Sequence, residues 1–461
     1  VNTLRLLVDD VELGSVQDEA IVPGGRFGVT AAEGSFVEKV EYRFLAAPAK
    51  TSSTTTPAPT QREIAERLLG LKAELRIRQP GKLTRVIFGD KLPESDFAIY
   101  EITFPMTAQA TDETFALVAG VPDLERLRVN GRISTLSPVA GLNKLIELNI
   151  YSSGSDPDDG NPLSEEEMRH LEGLTQLESL TMGIKGFTGQ GCRHLRGAAK
   201  LTKLFLGQKG ETARPIDEAG AAVIARLTSL TSLSLRGNVF APASSAAFRT
   251  IVAMPNLTTL DLGETTITRE MLLEIGKMPK LQSLNLSTCR LETQEFSLLA
   301  PCAGHLTALS FGYDTDLSDA GVKEIADTLV NLKEFILGWT NACTGASLRE
   351  LARLPKLHDF RYQKRDGLIN PEDFEALSHF PVLNQLSLVS CGLTDDYLKP
   401  LGRCPNLAAV TLTSNDQITD AALAHLHASK TLRYVEVTGT KVTDAGIAAL
   451  KQALPGCEVK K

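Results

Sequence analysis

Apolar residues recur along this chain in one spacing, L-x-x-L-x-L with occasional Ile, Val, Phe, Tyr or Met, and the pattern keeps restarting. Its copies begin at Ile99, Leu124, Leu145, Leu177, Leu201, Leu230, Leu257, Leu281, Leu306, Leu332, Leu357, Leu383, Leu407 and Leu432. From Leu257 onward the steps are 24, 25, 26, 25, 26, 24 and 25 residues, a regularity that chance does not produce. Within a copy, apolar and polar positions alternate, as at Leu260, Asp261 and Leu262, which predicts a short strand with one buried face. A hydroxyl follows at Thr268, Ser318, Thr394, Thr419 or Thr443, where a side-chain oxygen can cap the free amides of a helix. Asp319, Asp395, Asp420 and Asp444 come next, at the positive end of the helix dipole. Helical spacing then aligns Ile447, Leu450 and Leu454 on one stripe.

One such unit cannot bury its own apolar face, so neighbouring units must stack. The expected fold class is therefore α/β: a right-handed solenoid, horseshoe-shaped, with a parallel sheet on the concave side and helices on the convex side. The segments "LTDDYLKPLGRCPNL" and "LSDAGVKEIADTLVNL" resemble the leucine-rich repeat family in its ribonuclease-inhibitor-like, cysteine-containing class. "TKVTDAGIAALKQALPGCEV" is similar to the endings of long repeat proteins of planctomycete-type bacteria, and the resemblance spans about residues 97 to 459. It implies a non-catalytic scaffold that binds a protein or peptide partner on its concave face, without a cofactor. It also implies that one column points inward and bonds the bare backbone of the turn: Asn238, Thr265, Cys289, Asp314, Thr340, Cys391, Asn415 and Thr440. Arg365 interrupts that column.

Outside the repeats, residues 1–49 read as a β-rich appendage, vaguely similar to the last strands of a laminin-G or concanavalin-like jelly roll. Residues 50–60, "KTSSTTTPAPT", have nothing apolar to bury and read as a solvated linker. Residues 61–96 predict a helix and a β-hairpin that cap the first repeat, residues 97–454 hold the repeats, and residues 455–461 close the far end.

Composition narrows the partners. With 43% hydrophobic and 23% charged residues the chain is globular in type, and no run approaches the 18 apolar residues of a membrane span. A net charge of -8 disfavours nucleic acid, since phosphate binding needs a basic footprint. The seven cysteines are irregularly spaced and include no C-x-x-C pair, so buried thiols are expected rather than disulfides or zinc ligands. A monomer is expected. The first residue, Val1, suggests a processed or truncated chain. The alternative reading follows from that: an extracytoplasmic sensor or glycan-associated module of a larger, receptor-kinase-like chain, in the bacterial envelope.

No phosphate loop, hydrolase elbow or metalloprotease helix occurs, so no catalytic residue is assigned. Asp156, Asp158 and Glu167 fall at places 1, 3 and 12 of a calcium loop, but Gly160 sits at place 5 where the template needs place 6. Ser164 and Glu167 also spell a helix capping box, and a solvated loop is the plainer reading. For the binding face, the place two residues past the last strand hydrophobic holds Gly237, Glu264, Thr288, Ser390 and Ser414, but Tyr313 and Trp339 in two consecutive copies. With the outward strand residues Ile336, Asp359 and Arg361 they outline a candidate hot spot, Phe205 being a second candidate. A turn-covering role for Trp339 is the competing reading.

Overall fold

The computed structural model describes residues 2–8, 11–18, 59–107, 110–151, 163–184, 186–207, 214–240, 246–312, 317–338, 342–363 and 370–461. The chain forms two compact units, Val1–Ala58 and Pro59–Lys461. In the first, strands Asn2–Val8 and Val11–Asp18 pair as an antiparallel hairpin. The other strand-like stretches of residues 19–49, and the 50–58 part of the linker, lie outside the described residues.

The second unit opens with helix Gln61–Gly70, held by a reciprocal Thr60–Glu63 capping box. Strands Glu74–Gln79 and Lys82–Val86 follow as a hairpin around Pro80-Gly81, where Gly81 supplies a φ of 74°. Strand Glu74–Gln79 also pairs antiparallel with Ala98–Phe104. From Ala98–Phe104 onward every pairing is parallel, one strand per repeat, ending with Glu458–Lys460 beside Tyr434–Glu436. Among the described residues the sheet holds seventeen strands. Its outermost members, Lys82–Val86 and Glu458–Lys460, each pair on one side only among the described residues, so the sheet is open.

Register follows from the apolar spacing. Leu233, Leu260, Leu284 and Leu309 lie directly opposite one another on adjacent strands and all are buried. Slipping one strand by a single residue would turn its whole leucine set to solvent. Beneath the sheet runs an aromatic line: Phe296 meets Phe311 at 5.5 Å between centroids, Phe311 meets Phe335 at 6.2 Å, and Phe360 lies between Phe335 and Phe380 at 6.4 and 6.0 Å.

The opposite layer is mixed. Where a Thr or Ser caps a well-patterned segment, as at Thr268, Ser318 and Thr443, an α-helix forms. Glu218–Ala225, capped by Asp217, and Ala246–Val252 are also α-helical, while other segments are 3-10 helix, including Glu165–Leu171, Phe296–Cys302 (which contains Pro301) and Asp395–Leu398. Thr394 heads the last of these without a side-chain cap bond, unlike the other four predicted caps. The layers stack closely enough that a Cβ on Gly220 would sit 1.9 Å from the Thr188 carbonyl oxygen, so only glycine fits there.

The column two residues beyond the strands is a left-handed turn. Gly237, Glu264, Thr288, Ser390 and Ser414 have φ between 54° and 70°, and Gly439 has 72°. Its composition is therefore set by backbone conformation as well as by exposure. Thr288 is β-branched and bears the largest penalty, since a left-handed L-residue costs about 1–2 kcal/mol. Glycine would remove that cost and return about 0.5–1 kcal/mol of it as unfolded-state entropy. Thr288→Gly is thus expected to raise stability by up to ~1 kcal/mol, read as a higher urea midpoint. A lower midpoint would show that the Thr288 side chain contributes more than its strain costs.

Candidate functional site

The inward column is built from buried hydrogen bonds. Asn238 Nδ2 donates to Leu206 O at 2.6 Å, Thr265 Oγ1 to Leu262 O at 2.6 Å, and Cys289 Sγ to Leu262 O at 3.1 Å. Cys391 Sγ donates to Tyr362 O at 3.3 Å and Thr440 Oγ1 to Val437 O at 2.7 Å. Asn415 donates to Leu388 O and Leu412 O at 2.7 and 2.8 Å, and accepts from the amides of Cys391 and Leu393 at 2.9 and 3.2 Å. These contacts bond carbonyls that the strand ladder leaves free. Asp314 and Thr340 of the same column lie outside the described residues, as does Arg365.

A second ladder went unread in the sequence. The acidic residue that opens one helix accepts hydrogen bonds from the helix start of the next repeat. Asp319 accepts from Thr344 N and Oγ1 at 2.8 and 2.6 Å, Asp395 from Thr419 N and Oγ1 at 2.7 Å each, and Asp420 from Thr443 N and Oγ1 at 2.8 and 2.7 Å. Glu167 does the same in reverse direction, accepting from Thr135 Oγ1 and Leu136 N at 2.6 and 2.9 Å. Its carboxylate therefore does not close the expected box with Ser164, which makes no side-chain cap bond; the neighbouring repeat's turn competes for it and wins. Asp156 and Asp158, its partners in the calcium template, lie outside the described residues.

This ladder makes stability depend on pH. Burial alone would raise the Asp319 carboxyl, but hydrogen bonds from Ser347 and Thr344 hold it below the ordinary range. For Asp420 the Thr443 hydroxyl, then its amide, acts in the same direction. A depressed folded value stabilises above the unfolded value of about 3.9 and is lost as pH falls through the folded one. The Tm gap between the wild type and an Asp319→Asn/Asp420→Asn variant is expected to be full near neutrality and to close below about pH 4. A gap that persists unchanged at low pH would refute the linkage.

The sheet's outward face carries the candidate binding residues. Ile336 stands directly opposite Arg361, and Glu334 opposite Asp359, on adjacent strands. Arg361 Nη2 lies 3.1 Å from Asp359 Oδ2; Asp359 is buried while the guanidinium is exposed. The hydrogen bond to Asp359 raises the Arg361 pKa further, so the group is a permanent cation. Ile336 is half-buried. Phe205, also half-buried, sits on strand Lys203–Gly207, with four strands between it and Ile336, and is not part of the same cluster. Tyr313 and Trp339 lie outside the described residues.

At the other end of the face, sequence reading missed a charge network. Arg128 reaches both Glu101 at 3.2 Å and Glu147 at 3.1 Å; Arg76 lies 3.5 Å from Glu101 and Arg126 3.6 Å from Glu147. Aligning the repeats would have revealed it, because Glu101, Arg126 and Glu147 occupy the same strand position in successive copies.

Burial pushes the Cys302 and Cys404 thiols up to about 11 and about 12, far from a reactive thiolate. Among the described residues, no group of three or more His, Cys, Asp or Glu is arranged to hold a metal. No helix among them is long and apolar enough to cross a membrane.

Residues 428–451 match the family model described as Leucine Rich repeat. Two solved structures are similar to the chain, each at 17% identity. One is an internalin of Listeria monocytogenes, covering 79% of this chain and 89% of its own, with a TM-score of 0.36. The other is a leucine-rich-repeat protein of Leptospira interrogans, covering 78% and 93%, with a TM-score of 0.37. No curated protein matches the chain in sequence.

Proposed function

We propose that this leucine-rich-repeat protein is a non-catalytic interaction scaffold that binds a protein or peptide partner on the concave sheet face, around Ile336, Asp359 and Arg361. The observation that supports the reading is the pairing of a half-buried Ile336 with an exposed Arg361 held in place by a buried Asp359. An apolar side chain and an oriented guanidinium side by side make the kind of anchor on which interfaces concentrate their energy. Because Asp359 already fixes the arginine, little side-chain entropy remains to be lost on binding. Trp339 and Tyr313 join the proposal on their sequence positions alone. Acidic net charge argues against nucleic acid as the partner.

The test uses the full chain as bait, followed by titration of the recovered partner. Ile336→Ala and Arg361→Ala are each expected to weaken binding by more than ~1 kcal/mol while the thermal melt stays close to wild type. Wild-type affinity in both variants would remove this site.

A further inference from the structure

We propose that strand Lys82–Val86, the free edge at the start of the sheet, pairs antiparallel with the same strand of a second copy of this chain, giving a two-fold dimer with Thr84 opposite Thr84. This surface lies far along the sheet from Ile336 and does not depend on the sheet-face reading. Strand Lys82–Val86 follows Glu74–Gln79 through the Pro80-Gly81 turn, with Gln79 opposite Lys82, Ile77 opposite Thr84 and Leu75 opposite Val86. Alternation along an antiparallel pair then turns the N–H and C=O groups of Thr84 and Val86 toward that neighbour and those of Leu83 and Arg85 outward. Among the described residues these four outward groups have no backbone partner. Ile87, next in the series, is closed off: its N–H donates to Asp90 Oδ2 at 3.0 Å and its C=O accepts from Asp90 N at 3.0 Å. The open edge is therefore Leu83 to Arg85. The far edge differs, because Glu458–Lys460 is three residues long and sets two charged side chains around a half-buried Val459, which blunts it.

Register selects the occupant. An open edge beside exposed apolar side chains accepts a strand, and the chain's own strand complements itself. With Leu83 opposite Arg85 of the second copy, and the reverse, four interstrand hydrogen bonds form and no like charges stand opposite each other. Arg85 is already neutralised, since its Nε and Nη2 both bond Glu74. Sliding by two residues one way would set Arg85 against Arg85, and the other way would set it against the Pro80-Gly81 turn. The favoured register makes Thr84 and its copy a non-hydrogen-bonded pair, the closer kind, with Cα atoms about 4.5 Å apart. In the single chain Thr84 Oγ1 is buried without a hydrogen-bond partner, although the residue as a whole is only half-buried. Rotation about χ1 lets the two hydroxyls meet, a Thr–Thr contact that sheets use across strands. The same register carries Ile87 and Phe88 of each copy alongside Gly81 and Pro80 of the other. Leu83, Ile87 and Phe88 are 63%, 43% and 60% exposed, and an open depression of about 520 Å³ lined by Arg78, Pro80, Leu83 and Ala98 lies there to receive them. A two-fold axis repeats each contact and closes the assembly at two copies.

Sedimentation velocity of the full chain from ~1 to ~500 µM reads the association, and so short an interface is expected to give a dimer with a Kd of about 10–100 µM. Leu83→Pro deletes one outward N–H without removing a bond of the hairpin, and is expected to weaken the dimer at least about tenfold with a matching thermal melt. Phe88→Ser, at an exposed position past the strand, is expected to weaken the dimer as well and carries the test if the proline variant misfolds. Register is read by cross-linking under glutathione disulfide, with the wild type as blank, its cysteines being buried or half-buried. Thr84→Cys is expected to give a covalent dimer, because the paired Cα atoms lie within disulfide reach. Lys82→Cys, at a more exposed position, would stand about 14 Å from its copy and is expected to give little. A wild type that stays monomeric up to ~500 µM overturns the proposal. So does a dimer undiminished in the folded Leu83→Pro or Phe88→Ser variants, or a Thr84→Cys variant that cross-links no faster than Lys82→Cys.

Discussion

Asn415→Ala is expected to destabilise the chain by about 3–5 kcal/mol, because two buried backbone amides lose their acceptor at once. The Asn415 side chain is fully buried, and its carbonyl oxygen is held by Cys391 N and Leu393 N while its amide bonds Leu388 O and Leu412 O. Alanine removes the side-chain partner of all four backbone groups at once. Thr440→Ala is the comparison, since half-buried Thr440 Oγ1 donates to Val437 O and accepts from Val442 N within its own turn alone, and its loss costs about 1–2 kcal/mol. Urea unfolding of the two variants measures the difference, and a deficit under ~1 kcal/mol for Asn415→Ala would contradict the ladder's role. In a stacked array the damage is expected to appear first as early unfolding of the repeats around residues 385–440.

Phe360→Ala is expected to cost about 4 kcal/mol, within the range for a large aromatic removed from a packed core. Phe360 is fully buried between Phe335 and Phe380 and also touches Tyr362, with centroids at 6.3 Å. The resulting cavity would lie directly beneath Arg361 and beside the strand of Ile336. Stability and partner affinity should therefore fall together in this variant, whereas Ile336→Ala should lower affinity alone. A Phe360→Leu variant, which refills most of the volume, is expected to recover more than half of the lost stability.

The strands and their inward leucines were legible because one repeated spacing dictates both the period and the buried face. Leu260, Leu284 and Leu309 could be placed opposite one another from their step lengths alone. The interior column was legible for a related reason: Asn, Thr and Cys are small groups that can bond a carbonyl from inside a turn. Contacts between repeats were harder. Asp319 and Asp420 look like helix-dipole residues in a linear reading, and only the stacking brings the next threonine within 2.8 Å. Glu167 shows the same limit, because its local match to a capping box is outbid by Thr135 and Leu136, some thirty residues earlier. The left-handed turn column was hidden by its own variety, since Glu264, Thr288 and Ser390 do not advertise a positive φ as glycine does. The Arg128 network needed columns compared across several strands, which a reading along one chain direction does not supply.

The most direct measurement is the dissociation constant of the recovered partner for three chains with matching thermal melts. These are the wild type, the sheet-face pair Ile336→Asp/Arg361→Gln, and a helix-face pair, Lys323→Ala/Arg353→Ala, whose exposed side chains, on helix Asp319–Thr328 and just past helix Gly345–Leu351, both pair with Asp327. A binding sheet face predicts at least about tenfold weaker binding for the first pair and no change for the second. Undiminished affinity in the sheet-face pair, with the loss confined to the helix-face pair, would contradict it.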